Sequence, residues 1–183
     1  MGEGGDPRIA RSRSTVRDAT LELLREGGYA GLSIDAVSKR SGVARTTIYR
    51  HYESVASLAL DSLECLRPAR EAPTTTDPVD DLRQLLLHII ATVTTGHLPT
   101  MIEAAAHDPE FRRLRHEFVS VRRAELRGIL ERVIEAGALP EGADLEIVMD
   151  MVVSPIFYRA LLSGDATDVE FVERLLGQLL RSD

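Results

Sequence analysis

The stretch Ser33-Ile34-Asp35-Ala36-Val37-Ser38-Lys39-Arg40-Ser41-Gly42-Val43-Ala44-Arg45-Thr46-Thr47-Ile48-Tyr49-Arg50-His51-Tyr52 reads as two short helices joined by a turn at Gly42. Ser33 can cap the first helix, with Leu32 before it and Val37 after it placed to close a hydrophobic staple. Asp35 falls in the first turn, where a carboxylate suits the helix dipole. Ile34 and Val37 are three apart and share a face, Gly42 supplies the left-handed residue that ends the helix, and Val43 returns the chain to the core. In the second helix Ile48 and Tyr52 are four apart and point inward, leaving Arg45, Thr46, Thr47, Tyr49, Arg50 and His51 on or near the outer face. Those side chains donate hydrogen bonds and suit phosphates and base edges. The pattern is a helix-turn-helix. An ordinary helical hairpin with a solvated polar face would share the glycine. The preceding segment argues against it: Val16, Ala19, Leu23 and Leu24 form an apolar stripe on a helix ending at Gly27-Gly28, giving a three-helix reading head.

Charge is distributed to match. The chain has 183 residues, 22 basic and 29 acidic side chains, a net charge of -7 and a pI near 5.3, which at first opposes a nucleic-acid partner. Residues 8–52, however, hold nine basic residues against four acidic ones, and residues 53–183 hold 13 against 23. Positive charge is thus concentrated on the head, and an acidic body disfavours nonspecific collapse onto DNA.

The run from Thr15 to Leu63 resembles the DNA-binding domain of the tetracycline-repressor (TetR) family. The resemblance is carried by Gly28-Tyr29, Ser33-Ile34-Asp35-Ala36-Val37, Ser41-Gly42-Val43 and Thr47-Ile48-Tyr49-Arg50-His51-Tyr52. It implies that Arg45 and Thr46 approach base edges and that Thr47, Tyr49 and His51 hold phosphates. Lys39 and Arg40 would add charge along the DNA backbone, and Tyr52 would pack the recognition helix onto its domain. With Ser33 and Arg50 these make up the expected DNA-binding set. One departure stands out: the family often opens its fourth helix with a lysine after serine, and this chain has Ser54-Val55-Ala56.

Beyond the head, Pro68 to Pro78 and the Thr74-Thr75-Thr76 run interrupt two apolar-periodic segments, so the reading assigns residues 11–66 to the head, 67–78 to a linker and 79–183 to a second domain. Asp77-Pro78 opens a helix with Leu82, Leu85, Leu86, Ile89, Ile90 and Val93 at helical spacing, ended by Gly96. Asp108-Pro109 repeats the signal for one long helix running to Gly137. The stretch Leu145 to Leu162 is broadly apolar and reads as buried on more than one side, with a kink at Pro155 and an end at Gly164. Thr167 and Glu170 read as a capping box for a last helix. The expected fold is all-α with about nine helices: an N-terminal helix-turn-helix domain and a C-terminal helical domain for ligand binding and dimerisation.

Two adjacent apolar helices at the C-terminus can complete one protomer's core or join two protomers. A short recognition helix reads few base pairs, which favours a two-fold dimer on a near-palindromic site. The resemblance adds that such regulators dimerise through their last two helices, with Phe157, Tyr158, Leu161, Leu162, Phe171, Leu175 and Leu179 as candidates here. It also implies a pocket for a small-molecule effector, for which His88, Thr92, His97, Met101, Phe118, Arg122 and Tyr158 are candidate lining residues. Ligand binding would then move the fourth helix and respace the two recognition helices. No cofactor is expected. The histidines lack metal-ligand spacing, and neither a Gly-rich phosphate loop nor a nucleophile elbow argues for an enzyme. A ligand- or protein-binding module that no longer reads DNA is the remaining alternative. No run approaches the ~18 apolar residues of a membrane helix, and the lone Cys65 excludes an internal disulfide. The expected location is the cytoplasm, and the expected partners are double-stranded operator DNA, a second copy of the chain and a small molecule, with no membrane.

Overall fold

Short polar residues and glycines mark most of the helix boundaries. Ser33 Oγ accepts the Ala36 N–H at 3.1 Å, Asp77 Oδ1 accepts from Val79 and Asp80, and Asp144 Oδ1 accepts from Glu146. Each satisfies amide groups that the first helical turn leaves without partners. The computed structural model describes residues 7–64, 75–94 and 97–180. Its helices are α1 (Pro7–Gly27), α2 (Ile34–Ser41), α3 (Arg45–His51), α4 (Val55–Glu64), α5 (Pro78–Val93), α6 (Leu98–His107), α7 (Pro109–Glu135), α8 (Leu145–Tyr158) and α9 (Val169–Leu179). A 3-10 turn (Tyr29–Gly31) follows α1, and a π turn (Arg159–Ser163) follows α8. Among the described residues there is no strand, and no single helix is long and apolar enough to cross a membrane. Cys65, Gly96 and the linker as far as Thr74 lie outside the described residues.

The helices form two compact units that do not follow chain order. The first contains α1 to α4, α6 and the first turns of α7, and the second contains α5, the rest of α7, α8 and α9. In the first unit Val16 and Leu24 of α1, Val37 of α2, Ile48 of α3 and Leu58 of α4 share one core with Ala104 and Ala105 of α6 and Phe111 of α7. The sequence reading placed the whole of 79–183 in a separate domain. Its α6 and the start of its α7 instead complete the core of the head. The attachment is specific: the Tyr29 hydroxyl donates to Asp108 Oδ2 at 2.5 Å, and the Tyr29 ring meets Phe111 edge-on at 5.3 Å. Gly28 allows this close approach. Its φ is +65°, and a Cβ there would lie 3.1 Å from the Glu103 carboxylate of α6.

The second unit buries Leu82, Leu86 and Ile90 of α5, Leu130 and Val133 of α7, Val152 and Ile156 of α8, and Val172 and Leu176 of α9. One local expectation is corrected there. Asp168, not Thr167, caps α9, accepting the Phe171 N–H at 2.8 Å, because a carboxylate one residue nearer the helix outcompetes the hydroxyl. Pro155 lies inside α8, and the departure from α geometry comes later, in the π turn that closes on Gly164 at φ +72°.

Asp81 is fully buried in this unit. Its carboxylate accepts from the Arg132 guanidinium, from the Thr75 hydroxyl at 2.9 Å and from the Thr75 N–H, while Arg132 also donates to the Thr75 carbonyl at 3.0 Å. The chain entering α5 is thereby tied to α7. Burial works to raise the acid's pKa, and the hydrogen bonds from Arg132 and Thr75 outweigh it, holding Asp81 below the ordinary carboxylate range. A lowered folded-state pKa contributes stability that is complete above the unfolded value of about 3.9 and is lost as pH falls through the folded value. Asp81→Asn should therefore cost about 3 kcal/mol in urea unfolding at neutral pH. The gap between variant and wild type should narrow below about pH 4.

Candidate nucleic-acid interface

The turn between α2 and α3 is built from backbone requirements. Gly42 takes φ +71°, its N–H returns to the Ser38 carbonyl at 3.0 Å, and the Ser38 hydroxyl donates to the Val43 carbonyl at 2.8 Å. Ile48 and Tyr52 are buried, at 1% and 4% exposure. This leaves Arg45, Thr46, Tyr49 and Arg50 exposed, with Thr47 and His51 half-buried on the same short helix. Tyr49 is the most open aromatic of the head, at 56%. Donors for phosphate and base edges thus stand together on α3, while Ser33 is spent as the cap of α2.

The cations differ in how free they are. Arg40 forms a two-pronged pair with Glu26 of α1, at 2.9 and 2.7 Å, and reaches Glu22 at 3.2 Å. Its expected role as charge for the DNA backbone is therefore muted by α1, which it braces against α2. Arg45 pairs with Asp35 through Nη1 at 2.8 Å. Lys39 and Arg50 are exposed, and among the described residues no ion pair engages them.

One carboxylate fixes α3 in the head. Asp61 of α4 accepts from Arg17 Nε at 2.7 Å and from the Tyr52 hydroxyl at 2.7 Å, with Arg13 at 3.9 Å. Burial works to raise the Asp61 pKa, but Arg17 and Tyr52 hold it below the usual range; burial and the same hydrogen bond push Tyr52 up. Sequence reasoning assigned Tyr52 to packing and missed its partner. The spacing of nine residues between them belongs to no local motif.

At the start of α4, Ser54 and Ser57 cap reciprocally: each backbone N–H donates to the other's hydroxyl oxygen at 3.1 Å. Val55 occupies the first helical position, half-buried, where the family often has lysine.

The other predicted residues fall in separate places. Met101 packs on the head's core, and His97 also belongs to that unit, where burial and then the Arg25 charge lower its pKa. His88, Thr92, Phe118, Arg122 and Tyr158 belong to the second unit. The Thr92 hydroxyl donates to the His88 carbonyl at 2.9 Å, and the Arg122 guanidinium lies 5.3 Å from the Phe118 ring while binding both oxygens of Glu125. Of the interface candidates, Tyr158, Leu161 and Leu162 are exposed, while Phe157, Leu175 and Leu179 are half-buried. Phe171 lies in the protomer's own core at 8%, beneath the Arg159 guanidinium at 4.1 Å. The sequence reading omitted Ile147 and Met151, which are 56% and 55% exposed and share a face of α8 with Tyr158. Among the described residues no group of three His, Cys, Asp or Glu could hold a metal ion.

Comparison with known proteins bears on this geometry. Residues 16–61 match the model for bacterial regulatory proteins of the tetR family, and residues 72–179 match the model for a tetracyclin repressor-like C-terminal domain. The chain belongs to the TetR family. It is 28% identical over 177 residues to the HTH-type transcriptional regulator YdeS of Bacillus subtilis (strain 168), spanning 94% of this chain and 89% of YdeS. The TetR family transcription regulator SCO0332 superposes with a TM-score of 0.66 at 28% identity, covering 91% of this chain and 95% of that one. FadR from Bacillus subtilis, solved with stearoyl-CoA, shares the fold at 18% identity and a TM-score of 0.67, covering 91% and 97%. As a TetR-family member the chain is a DNA-binding transcriptional regulator and not an enzyme.

Two substitutions on this surface have separable consequences. Val55→Lys should steepen the slope of log affinity against log salt by about 0.9 per protomer, one added phosphate contact. Tyr49→Ala should weaken binding about tenfold across sequences, the worth of one hydrogen bond to a charged group, with an unchanged thermal midpoint. Filter binding across a salt series and thermal melts by circular dichroism measure both.

Proposed function

We propose that this TetR-family regulator is a homodimeric repressor that binds a near-palindromic operator and is released by a small molecule held in its C-terminal half. The carrying observation is that Tyr29, between the helices of the head, is hydrogen-bonded to Asp108 and meets Phe111 edge-on, at the start of α7. The bond from Tyr29 holds the Asp108 carboxyl below its usual pKa, and Asp108 also caps α7 by accepting from Glu110 at 2.8 Å and Phe111 at 3.1 Å. Helices that follow the linker are therefore built into the reading head. A ligand that prefers one placement of α6 and α7 would change the packing beneath α4, and through Asp61 the seating of α3. The equilibrium shifts only as far as the ligand discriminates between those placements.

Dimerisation supplies the second half-site. Ile147, Met151 and Tyr158 give α8 an apolar face that the protomer leaves open, and Leu162 follows at 78% exposure. A second copy covering that face would carry two recognition helices about 34–36 Å apart, one turn of DNA. Operator binding places the protein where the cell keeps its DNA.

Selection of bound duplexes from a random pool by the full chain, followed by calorimetry of candidate ligands with and without the selected duplex, tests this reading. The stearoyl-CoA seen in the FadR structure is a reasonable first member of the ligand panel. Duplex and effector should each weaken the other's binding by the same factor, by reciprocity. Equal ligand affinity with and without duplex would refute the release mechanism. For the assembly, the double variant Ile147→Asp/Met151→Asp should sediment as a monomer. Its operator affinity should fall by about two orders of magnitude, since the two half-sites are no longer linked.

A further inference from the structure

The cation at the first position of the recognition helix is already paired. Arg45 Nη1 donates to Asp35 Oδ1 at 2.8 Å, the two side chains being 62% and 72% exposed. Asp35 lies in the first turn of α2 and Arg45 in the first turn of α3, so the bond spans the helix-turn-helix. We propose that Asp35 is a specificity-determining residue: it neutralises Arg45 toward phosphate while leaving it able to bond a base edge. This inference rests on Arg45 reading DNA.

The reasoning is electrostatic. A lone guanidinium is drawn to any anion in reach, and a duplex offers phosphates at every step whatever its sequence. Paired with a carboxylate, Arg45 presents a net charge near zero, so its long-range attraction to phosphate is largely cancelled. Hydrogen bonding is not cancelled. Arginine carries five N–H groups, and the Asp35 bond uses one on Nη1, which leaves Nη2 and Nε to donate. An acceptor pair such as guanine O6 and N7 can still take a directional two-point contact there. A fixed carboxylate also limits the rotamers that the long side chain explores, so less freedom is lost when a base is engaged. Asp35 thus lowers affinity for arbitrary sequence more than for a site with the right acceptors. The neighbouring Arg40, occupied by Glu22 and Glu26, shows the same economy with charge in the head.

The test uses the full-length wild type, Asp35→Asn, Arg45→Ala and the double variant. The probes are a duplex enriched from a random library by the wild type and the unselected pool itself. Asp35→Asn should bind the pool about fivefold tighter at low salt, with a salt slope steeper by about 0.9 per protomer, equivalent to one added phosphate. Affinity for the enriched duplex should change much less, so the specificity ratio falls about fivefold. In the Arg45→Ala background the same substitution should leave the ratio unchanged. Asp35→Ser, which removes the carboxylate but keeps a small polar residue near the start of α2, should reproduce the Asn result, and the lost helix-dipole contact, common to both, is controlled by the Arg45→Ala background. Equal tightening on both probes, with or without Arg45, would overturn the proposal in favour of diffuse charge, as would equal weakening. If the wild type enriched no duplex at all, the operator reading itself would fall, an outcome distinct from an unchanged ratio.

Discussion

The reading head is organised by a single carboxylate. Asp61 on α4 accepts from Arg17 of α1 and from Tyr52 at the end of α3, so three helices meet at one side chain. Burial of Ile48 is non-directional. Hydrogen bonds of 2.7 Å from Arg17 and Tyr52 fix direction as well as distance. Removing Asp61 would leave a buried phenol and a guanidinium without their shared acceptor, a greater loss than one average hydrogen bond. The position of α4 and the register of the recognition helix are therefore one variable.

Charge placement in the head follows a related logic. The balance of residues 8–52 is positive, yet several of those cations are satisfied internally: Arg17 by Asp61, Arg40 by Glu22 and Glu26, Arg45 by Asp35. The Arg45 pair is exposed on both sides, and such a pair typically contributes under 1 kcal/mol to stability. The effect of these pairs on the field is larger, since every internal pair subtracts one cation from the potential a phosphate experiences. With a valine at the start of α4, the cations left outside internal pairs on α2 and α3 are Lys39 and Arg50, both exposed.

The sequence was legible where structure is decided locally. Ser33, Gly42, Asp77, Asp108 and Gly137 announced helix ends because caps and left-handed turns depend on residues three to five apart. The buried positions Val37, Ile48, Leu82, Leu86 and Leu130 followed from helical periodicity. Long-range partnerships were not legible. Nothing in the spacing of Tyr29 and Asp108, 79 positions apart, or of Asp81 and Arg132, 51 apart, distinguishes them from other polar residues. Periodicity also falls short on α8, where only Glu146, Asp150 and Ser154 are polar. It identifies an apolar helix but cannot separate Val152, buried in the protomer, from Met151 beside it, which is open.

The same limitation hides the packing of α6. Prolines and a threonine run before residue 79 look like the end of one domain, and in chain order they are. Packing is not bound by chain order. The head's four helices offer Leu24, Tyr29 and Leu63 to a core that α6 and the first turns of α7 complete with Ala104, Ala105 and Phe111. Small residues on α6 permit close approach, and Phe111 fills the remaining volume against Tyr29. A head completed in this way cannot be indifferent to its later helices, because removing Phe111 from its site would leave a cavity against the Tyr29 ring, and removing Asp108 would leave the Tyr29 phenol without its acceptor. A change in the placement of α6 or the start of α7 would then reach the head's core with no added device, because helices from after the linker finish the core from before it.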